Sequence, residues 1–140
     1  MARTRYMLDT NICSFIIRQR PPSVLDRLQE VATAGDHICI SAITYAELLF
    51  GADNKRASPK MTGIVADFVS RLDSISDWGR AAAEQAALIK RQLEQVGNPI
   101  GPNDILIAGH ALAVDAVLIT DNVKEFARVS GLRHENWINR

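Results

Sequence analysis

Residues 116–122, Ala-Val-Leu-Ile-Thr-Asp-Asn, decide the fold class. A short apolar run that stops at turn-forming polar residues is typical of a strand buried on both faces, because a half-exposed strand would alternate in polarity. A helical pattern over Pro102–Val114 precedes this strand, and a short helix over Lys124–Val129 follows it. Helices therefore flank the strand along the chain, which favours a parallel sheet covered by helices on both faces.

The same alternation runs through the rest of the chain. Strands are predicted at Arg5–Leu8 and His37–Ser41, with a brief edge strand within Asp73–Trp78. Caps, prolines and apolar periodicity predict the intervening helices: Ile12–Arg18, from the cap Ser23 through Val31, from the second strand to about Gly51, Thr62–Leu72, and from Ala82 to Gly97. We expect one α/β domain over residues 1–140, a three-layer sandwich whose short, mainly parallel central sheet is flanked by helices.

The helix that ends at Gly97 carries a narrow apolar seam. Its members recur at spacings of three and four: Ala82, Ala86, Ile89, Leu93 and Val96. Such a seam can pack against the same domain or against a second copy of the chain.

Composition sets limits on the class of protein. A 47% hydrophobic and 23% charged composition is enough for an ordinary core. Sixteen basic residues balance sixteen acidic ones, so net charge gives no general indication of nucleic-acid binding. Cys13 and Cys39 form no CxxC pair, which suits a reduced compartment. No secretory segment or long apolar run is present, and we expect a soluble, cytoplasmic protein.

Acidic residues follow the predicted strands or open the helices behind them. Asp9 follows the first strand, Glu47 lies early in the helix after the second, and Asp104 lies in the first turn of the helix that Pro102 opens. Asp121-Asn122 follows the Ala-Val-Leu-Ile-Thr strand. Because ligands of open parallel sheets bind outside the carboxyl ends of the strands, we expect these side chains to converge.

Each position also has an ordinary structural interpretation: a helix cap for Asp9, a capping box with Thr44 for Glu47, a favourable helix dipole for Asp104 and a simple turn for Asp121-Asn122.

Two apolar stripes favour a shared site. Asp104 lies on the helical stripe of Ile107, Ala108 and Ala111, and Glu47 lies on the stripe of Ile43 and Phe50. Both carboxylates are therefore expected to lean toward packed surfaces. Two unit charges about 4 Å apart repel by roughly 4 kcal/mol at an effective dielectric near 20. A divalent cation would relieve that repulsion, and oxygen ligands suit Mg²⁺ or Mn²⁺ better than Zn²⁺.

The motifs together resemble those of a known family. Residues 7–11 (Met-Leu-Asp-Thr-Asn), 40–48 (Ile-Ser-Ala-Ile-Thr-Tyr-Ala-Glu-Leu), 100–111 (Ile-Gly-Pro-Asn-Asp-Ile-Leu-Ile-Ala-Gly-His-Ala) and 118–126 (Leu-Ile-Thr-Asp-Asn-Val-Lys-Glu-Phe) are similar to the blocks of PIN domains. Their order and spacing resemble those of VapC-type toxins, the nuclease halves of bacterial toxin–antitoxin pairs. The resemblance runs from about Tyr6 to Trp137.

The resemblance implies a metal-dependent endoribonuclease of PIN-like fold. Its acidic triad would be Asp9, Glu47 and Asp104, with Mg²⁺ as cofactor and Mn²⁺ as a substitute. The fourth position is either Asp121, as an acid, or Asn122, as a neutral ligand. Supporting positions of the site are Asn11, Thr120 and Asn122.

The resemblance also implies partners. These are a homodimer and a VapB-type antitoxin whose tail occludes the site. Pro99-Ile100-Gly101-Pro102 and the tail segment 129–133 are most similar to the branch that cuts initiator tRNA in its anticodon stem-loop, so the implied substrate is RNA, with tRNA as the best match.

Histidine chemistry is disfavoured, since His37, His110 and His134 have no partner at a fixed spacing. The expected reaction is metal-assisted hydrolysis that leaves 5′-phosphate and 3′-hydroxyl ends. Phosphate contacts could come from basic residues that equally suit a solvated surface: Lys55, Arg56, Lys60, Lys90 and Arg91.

Two alternatives stay open at this point. One is a haloacid-type phosphatase with Asp9 as nucleophile, although that chemistry wants an acid where Asn11 stands. The other is a non-catalytic module of the same fold that binds a metal or a basic partner.

Overall fold

A computed structural model describes residues 3–138 of the chain. Its strands are β1 (Arg5–Leu8), β2 (His37–Ser41), β3 (Ser74–Ser76), β4 (Val117–Ile119) and β5 (His134–Glu135). Its helices are α1 (Thr10–Ile17), α2 (Pro22–Thr33), α3 (Ala42–Ala52), α4 (Met61–Ser70), α5 (Arg80–Gln95), α6 (Pro102–Ala113) and α7 (Val123–Phe126). The single domain predicted over residues 1–140 stays a prediction, and residues 1, 2, 139 and 140 lie outside the described part.

The five strands form one sheet in the order β3-β2-β1-β4-β5, and each neighbouring pair is parallel. The predicted α/β sandwich is confirmed. β1 lies at the centre, and the chain leaves it for β2 on one side and reaches β4 on the other. This is the switch in strand order beside which ligands of parallel sheets bind.

Helices cover both faces of the sheet, because successive strand residues point to opposite sides. Tyr6 and Leu8 of β1 join one core with Val24 and Val65, which come from α2 and α4. Met7 points the other way, into a second core built largely by α5 and α6. The interior positions of the central strands are therefore apolar on both faces, as is typical of buried parallel strands.

Several element boundaries differ from the prediction, and one strand was missed. α2 begins at Pro22 with Pro21 as its N-cap residue, not with Ser23 as cap, since proline suits the first turn of a helix, where no amide hydrogen is needed. α7 is a single turn that ends at Phe126. The edge strand β5 was missed because its two residues are too short to show any periodicity.

The apolar seam of α5 packs within the chain. Ala82, Ala86, Ile89 and Leu93 are all buried, whereas Val96 is 72% exposed. The intramolecular interpretation is therefore right for four of the five seam residues, and Val96 does not belong to the buried seam. No helix within residues 3–138 combines the length and the apolar character needed to cross a bilayer.

Gly109 sets the distance between α5 and α6. A Cβ atom built on it would lie 2.7 Å from the backbone nitrogen of Ala86 and 2.9 Å from its Cα. Real Cβ atoms do not come this close to a backbone, so only glycine allows this contact. Because α6 carries Asp104, the contact also helps to place the functional site.

Gly109→Ala should destabilise the protein by about 1–3 kcal/mol, the usual cost of overpacking a well-packed core. The matched control is Gly63→Ala on α4, where an added Cβ meets nothing within 4 Å and stability should stay equal or rise by up to about 1 kcal/mol. Urea denaturation measures both. Equal stability of the two variants would contradict the close-contact role of Gly109.

Candidate metal and nuclease site

Asp9 lies where β1 ends and α1 begins. Its backbone amide donates to the carbonyl oxygen of Ile119 over 3.0 Å, so it continues the pairing of β1 with β4. Its Oδ1 accepts from the amide of Ile12 over 2.9 Å, which makes Asp9 the N-cap of α1. The cap predicted as an alternative role is thus present, and it leaves the second carboxylate oxygen for other partners.

Burial makes Asp9 unusual among caps, because its side chain is only 5% exposed. Desolvation raises its pKa to about 6, against hydrogen bonds from Thr120 and Ile12 that lower it. Repulsion from Asp121 and Glu47 raises the pKa further. A surface cap would show none of this desolvation.

Glu47 is not part of a capping box. The N-cap of α3 is Ser41, whose Oγ accepts from the Ile43 amide over 3.1 Å, and Thr44 lies buried inside the helix. Instead, the Oε1 of Glu47 accepts a 2.7 Å hydrogen bond from the hydroxyl of Thr10. This bond ties the carboxylate of α3 to the residue that follows Asp9.

Asp104 is partly buried in the first turn of α6, where a second acid meets it. Its pKa is raised to about 7, chiefly by desolvation. A hydrogen bond with Glu125 and repulsion from Glu125, Asp9 and Glu47 raise it further. The Oε2 of Glu125 in turn accepts a short hydrogen bond from the Nδ2 of Asn122. Sequence reasoning did not select Glu125, because the four-residue α7 that carries it shows no periodicity.

The fourth position divides between two side chains. Asp121 repels Asp9 and accepts from the Nδ2 of Asn136 over 3.0 Å, whereas Asn122 contacts Glu125 and so joins the Asp104 side. Thr120 is fully buried, and its Oγ1 accepts from the Asn122 amide over 2.9 Å. Among the predicted supporting residues Asn11 differs, because it is exposed on α1 and no hydrogen bond within the described residues joins it to an acid.

The donor set fits a hard divalent cation. It consists of carboxylates on four separate segments, and burial, followed by repulsion from neighbouring acids, raises the pKa values of Asp9 and Asp104. Added positive charge would favour the ionised form of both carboxylates. As placed, no three His, Cys, Asp or Glu side chains in residues 3–138 form a ready ligand cluster, since Glu47 is turned to Thr10 and Asp104 to Glu125. Joint coordination therefore requires side-chain rotation.

The histidines lie apart from this cluster. His37 pairs with Ser74 over 2.8 Å, and His134 lies 3.3 Å from the carbonyl oxygen of Leu132. His110 is buried, and its Nδ1 lies 2.7 Å from the Oγ of Ser41. These contacts give the three rings structural partners.

The five basic residues named for phosphate contacts are all exposed. Three lie near the loop between α3 and α4 (Lys55, Arg56 and Lys60), and two lie on α5 (Lys90 and Arg91). Their role toward RNA stays a prediction.

Comparisons with known proteins show the family to which the chain is similar. A family model described as PIN domain matches residues 6–132. The chain is similar to the tRNA(fMet)-specific endonuclease VapC of Shigella flexneri, with 40% identity over 133 residues that make up 95% of this chain and 98% of that protein. Ribonuclease VapC2 of Haemophilus influenzae is also 40% identical, over 96% of this chain and 98% of that protein.

Solved structures show the same fold. VapBC2 from Rickettsia felis, bound to a DNA fragment from its promoter, contains a chain with a TM-score of 0.89 and 38% identity, covering 96% of this chain and 100% of that chain. DNA-bound VapBC from Salmonella typhimurium contains one with a TM-score of 0.86 and 37% identity, covering 96% and 99%.

Replacing Asp9 tests whether its buried charge is a cost to folding. The pKa of Asp9 is about 6 in the folded chain against 3.8 as reference, so between these values the folded state binds more protons than the unfolded one and stability falls as pH rises. Without divalent metal at pH 8, Asp9→Asn should therefore be more stable than the wild type, by at most about 3 kcal/mol, and near pH 4 the difference should vanish.

Asp9→Ala is the matched control, because asparagine can still cap α1 and alanine cannot. The loss of the cap should lower the stability of Asp9→Ala relative to Asp9→Asn by about 1 kcal/mol. Denaturation in EDTA at both pH values measures the three proteins. An Asp9→Asn variant that is less stable than the wild type at pH 8 would mean that the charge itself supports the fold.

Proposed function

The chain belongs to the PIN-domain family, and from this we propose that it is an Mg²⁺-dependent endoribonuclease, the toxin of a toxin–antitoxin pair. Its substrate is RNA, with the anticodon stem-loop of initiator tRNA as the proposed target, and its action inhibits translation in the cytoplasm. Its partners are a VapB-type antitoxin and a second copy of the chain. The names of its relatives support the substrate and the partner, since one is a tRNA(fMet)-specific endonuclease and others are solved as VapBC complexes.

One observation carries the proposal of hydrolysis at this site. The charges of three acidic side chains from separate segments, Asp9, Glu47 and Glu125, act on Asp104 beside the ends of β1 and β4. Burial, together with neighbouring charges, raises the pKa of Asp9 from 3.8 to about 6 and that of Asp104 to about 7. Perturbed carboxylates in one cleft are typical of sites that bind a cation or carry out acid–base chemistry.

Asp9 and Asp104 would hold the principal ion, since they come from separate segments, act on each other electrostatically and have the raised pKa values of the site. When bound, Mg²⁺ supplies positive charge that acidifies water and stabilises the charge developing on the phosphoryl oxygens. Glu47, oriented by the Thr10 hydroxyl, would position the attacking water in line with the leaving 3′-oxygen. Asp121 or Asn122 would complete the oxygen shell.

Thr120 and Asn122 act by positioning. The Thr120 hydroxyl lies between Asp9 and the Asn122 amide, and the Asn122 side chain donates to Glu125. This relay links the Asp9 side of the site to the Asp104 side. The phosphatase alternative has no support here, because exposed Asn11 stands where a leaving-group acid would be needed.

Purified protein should cut RNA in Mg²⁺ or Mn²⁺ and stop when EDTA is added, and the fragments should carry 5′-phosphates. Asp104→Asn should lower the rate by at least about 100-fold, because the principal ion loses a charged ligand. The matched control is Asp67→Asn, which removes an exposed carboxylate of α4 and should leave the rate unchanged. Metal binding without cutting of any RNA would instead support the non-catalytic module.

Glu125→Gln tests the second acid beside Asp104. Removing this negative charge should lower the pKa of Asp104 toward its usual range. If cutting requires ionised Asp104, the acid limb of the pH–rate profile should move to lower pH. Single-turnover rates between pH 5 and 8 at subsaturating Mg²⁺, where Asp104 must ionise before the ion binds, measure the shift, and an unmoved limb would show that Glu125 does not act on Asp104 in the working enzyme.

A further inference from the structure

A small cleft opens directly beside the acidic site. It has a volume of about 290 Å³ and lies between α1, α3, α4 and the loop that joins α3 to α4. Its floor is apolar and includes the buried side chains of Leu48 and Val65. The space exists because small residues face it from α3 and the loop: Gly51, Ala52 and Ala57.

Two residues belong to both the cleft and the acidic site. Thr10 and Glu47 line the cleft, and the 2.7 Å hydrogen bond between them stands at the boundary. An RNA strand whose phosphodiester lies at the carboxylates therefore has this cleft within reach of an adjoining nucleotide.

The mouth of the cleft carries hydrogen-bonding groups and one cation. Ser14 and Arg18 line it from α1. The Nε of Arg18 donates to the carbonyl oxygen of Ser14 over 3.3 Å, and its guanidinium lies 4.9 Å from the centre of the Phe15 ring. These contacts hold the guanidinium close to the helix, and its terminal amino groups form no hydrogen bond within residues 3–138.

We propose that this cleft is a nucleobase subsite, which seats one unpaired base next to the phosphodiester that is cut. The inference rests on the nuclease activity proposed above. The volume of the cleft, about 290 Å³, lies just below the range of about 300–1,000 Å³ that is typical of small-molecule pockets. A cleft of this size suits one ring system. An apolar floor with a polar, cationic rim matches a base, whose faces stack and whose edges form hydrogen bonds, and protein recognition of RNA sequence relies on unstacked bases of this kind.

Gly51→Leu places a larger side chain at a residue that lines the cleft. A Cβ atom on Gly51 meets nothing within 4 Å, and leucine favours the helix that glycine weakens. The matched control is Gly63→Leu on α4, which is equally open but faces a different cleft, between α2 and α4. Ala57→Leu fills the same cleft from the loop and serves as a second filling variant. Circular dichroism and urea denaturation establish that all three fold.

The measurement is the value of kcat/KM on an RNA hairpin whose cut site has been mapped. The intact hairpin is compared with a series of hairpins, each of which lacks the base at one position of the loop. For the wild type, removal of the seated base should lower kcat/KM about 5- to 150-fold, the range that stacking of one base provides. Gly51→Leu and Ala57→Leu should lose a similar factor on the intact hairpin. On the hairpin that lacks the seated base, the two variants should show little further reduction in kcat/KM, because the interaction that they remove is already absent. Gly63→Leu should behave as wild type.

The outcomes separate the inference from the function on which it rests. If the wild type cuts no RNA, the proposed function fails and the subsite with it. If the wild type cuts RNA but both filling variants cut the intact hairpin as well as the wild type does, the subsite alone is refuted. The same holds if the reduction in kcat/KM caused by each variant multiplies with the reduction caused by an abasic nucleotide at every position of the loop. Unchanged cutting together with resistance to the co-expressed antitoxin would assign the cleft to that partner, and this too would overturn the proposal.

Discussion

The repulsion among carboxylates at the carboxyl end of β1 is the constraint on which the site depends. Asp9 is buried and Asp104 is partly buried. The negative charge of Glu47 repels both carboxylates. Folding must bring these groups together although their charges oppose it. The fold offsets part of this cost locally, because Asp9 caps α1 and Asp104 lies in the first turn of α6, where helix amides favour negative charge.

The rest of the molecule is a rigid frame for that arrangement. β1 lies at the centre of the sheet with an apolar core on each face, so Asp9 has little freedom to move away. On one face, the close contact of Gly109 with Ala86 fixes α6 against α5. On the opposite side of the site, the Thr10 hydroxyl holds Glu47 of α3. The carboxylates therefore cannot relieve their repulsion by moving their backbones apart, and the remaining responses are side-chain rotation, protonation or a bound cation.

The sequence predicted those parts that depend on local pattern. The first two strands and the buried strand around Leu118 were clear because buried parallel strands are continuously apolar. Asp9, Glu47 and Asp104 were selected because the carboxyl ends of parallel strands share one edge. The capping box at Thr44 and Glu47 was a wrong alternative, since the local motif cannot reveal that the helix already begins at Ala42.

What the sequence did not predict depends on contacts between distant segments. Glu125 lies in a four-residue helix that shows no periodicity, and its importance appears only when α7 is placed beside α6. β5 has two residues and forms only because β4 offers an unpaired edge. In both cases the segment is too short to show a sequence pattern, and its role depends on its place in the tertiary structure.

The pairing of Asp121 with Asn122 illustrates how the site limits its own charge. An acid at both positions would add a further negative charge beside Glu125 and raise the pKa of Asp104 still more. Asn122 instead donates a hydrogen bond to Glu125, so it orients a carboxylate without adding charge, while the charge of Asp121 acts on Asp9. The two residues therefore act on different acids of the site. A neutral donor on the side that already holds the Asp104–Glu125 pair is the arrangement that the electrostatics favour.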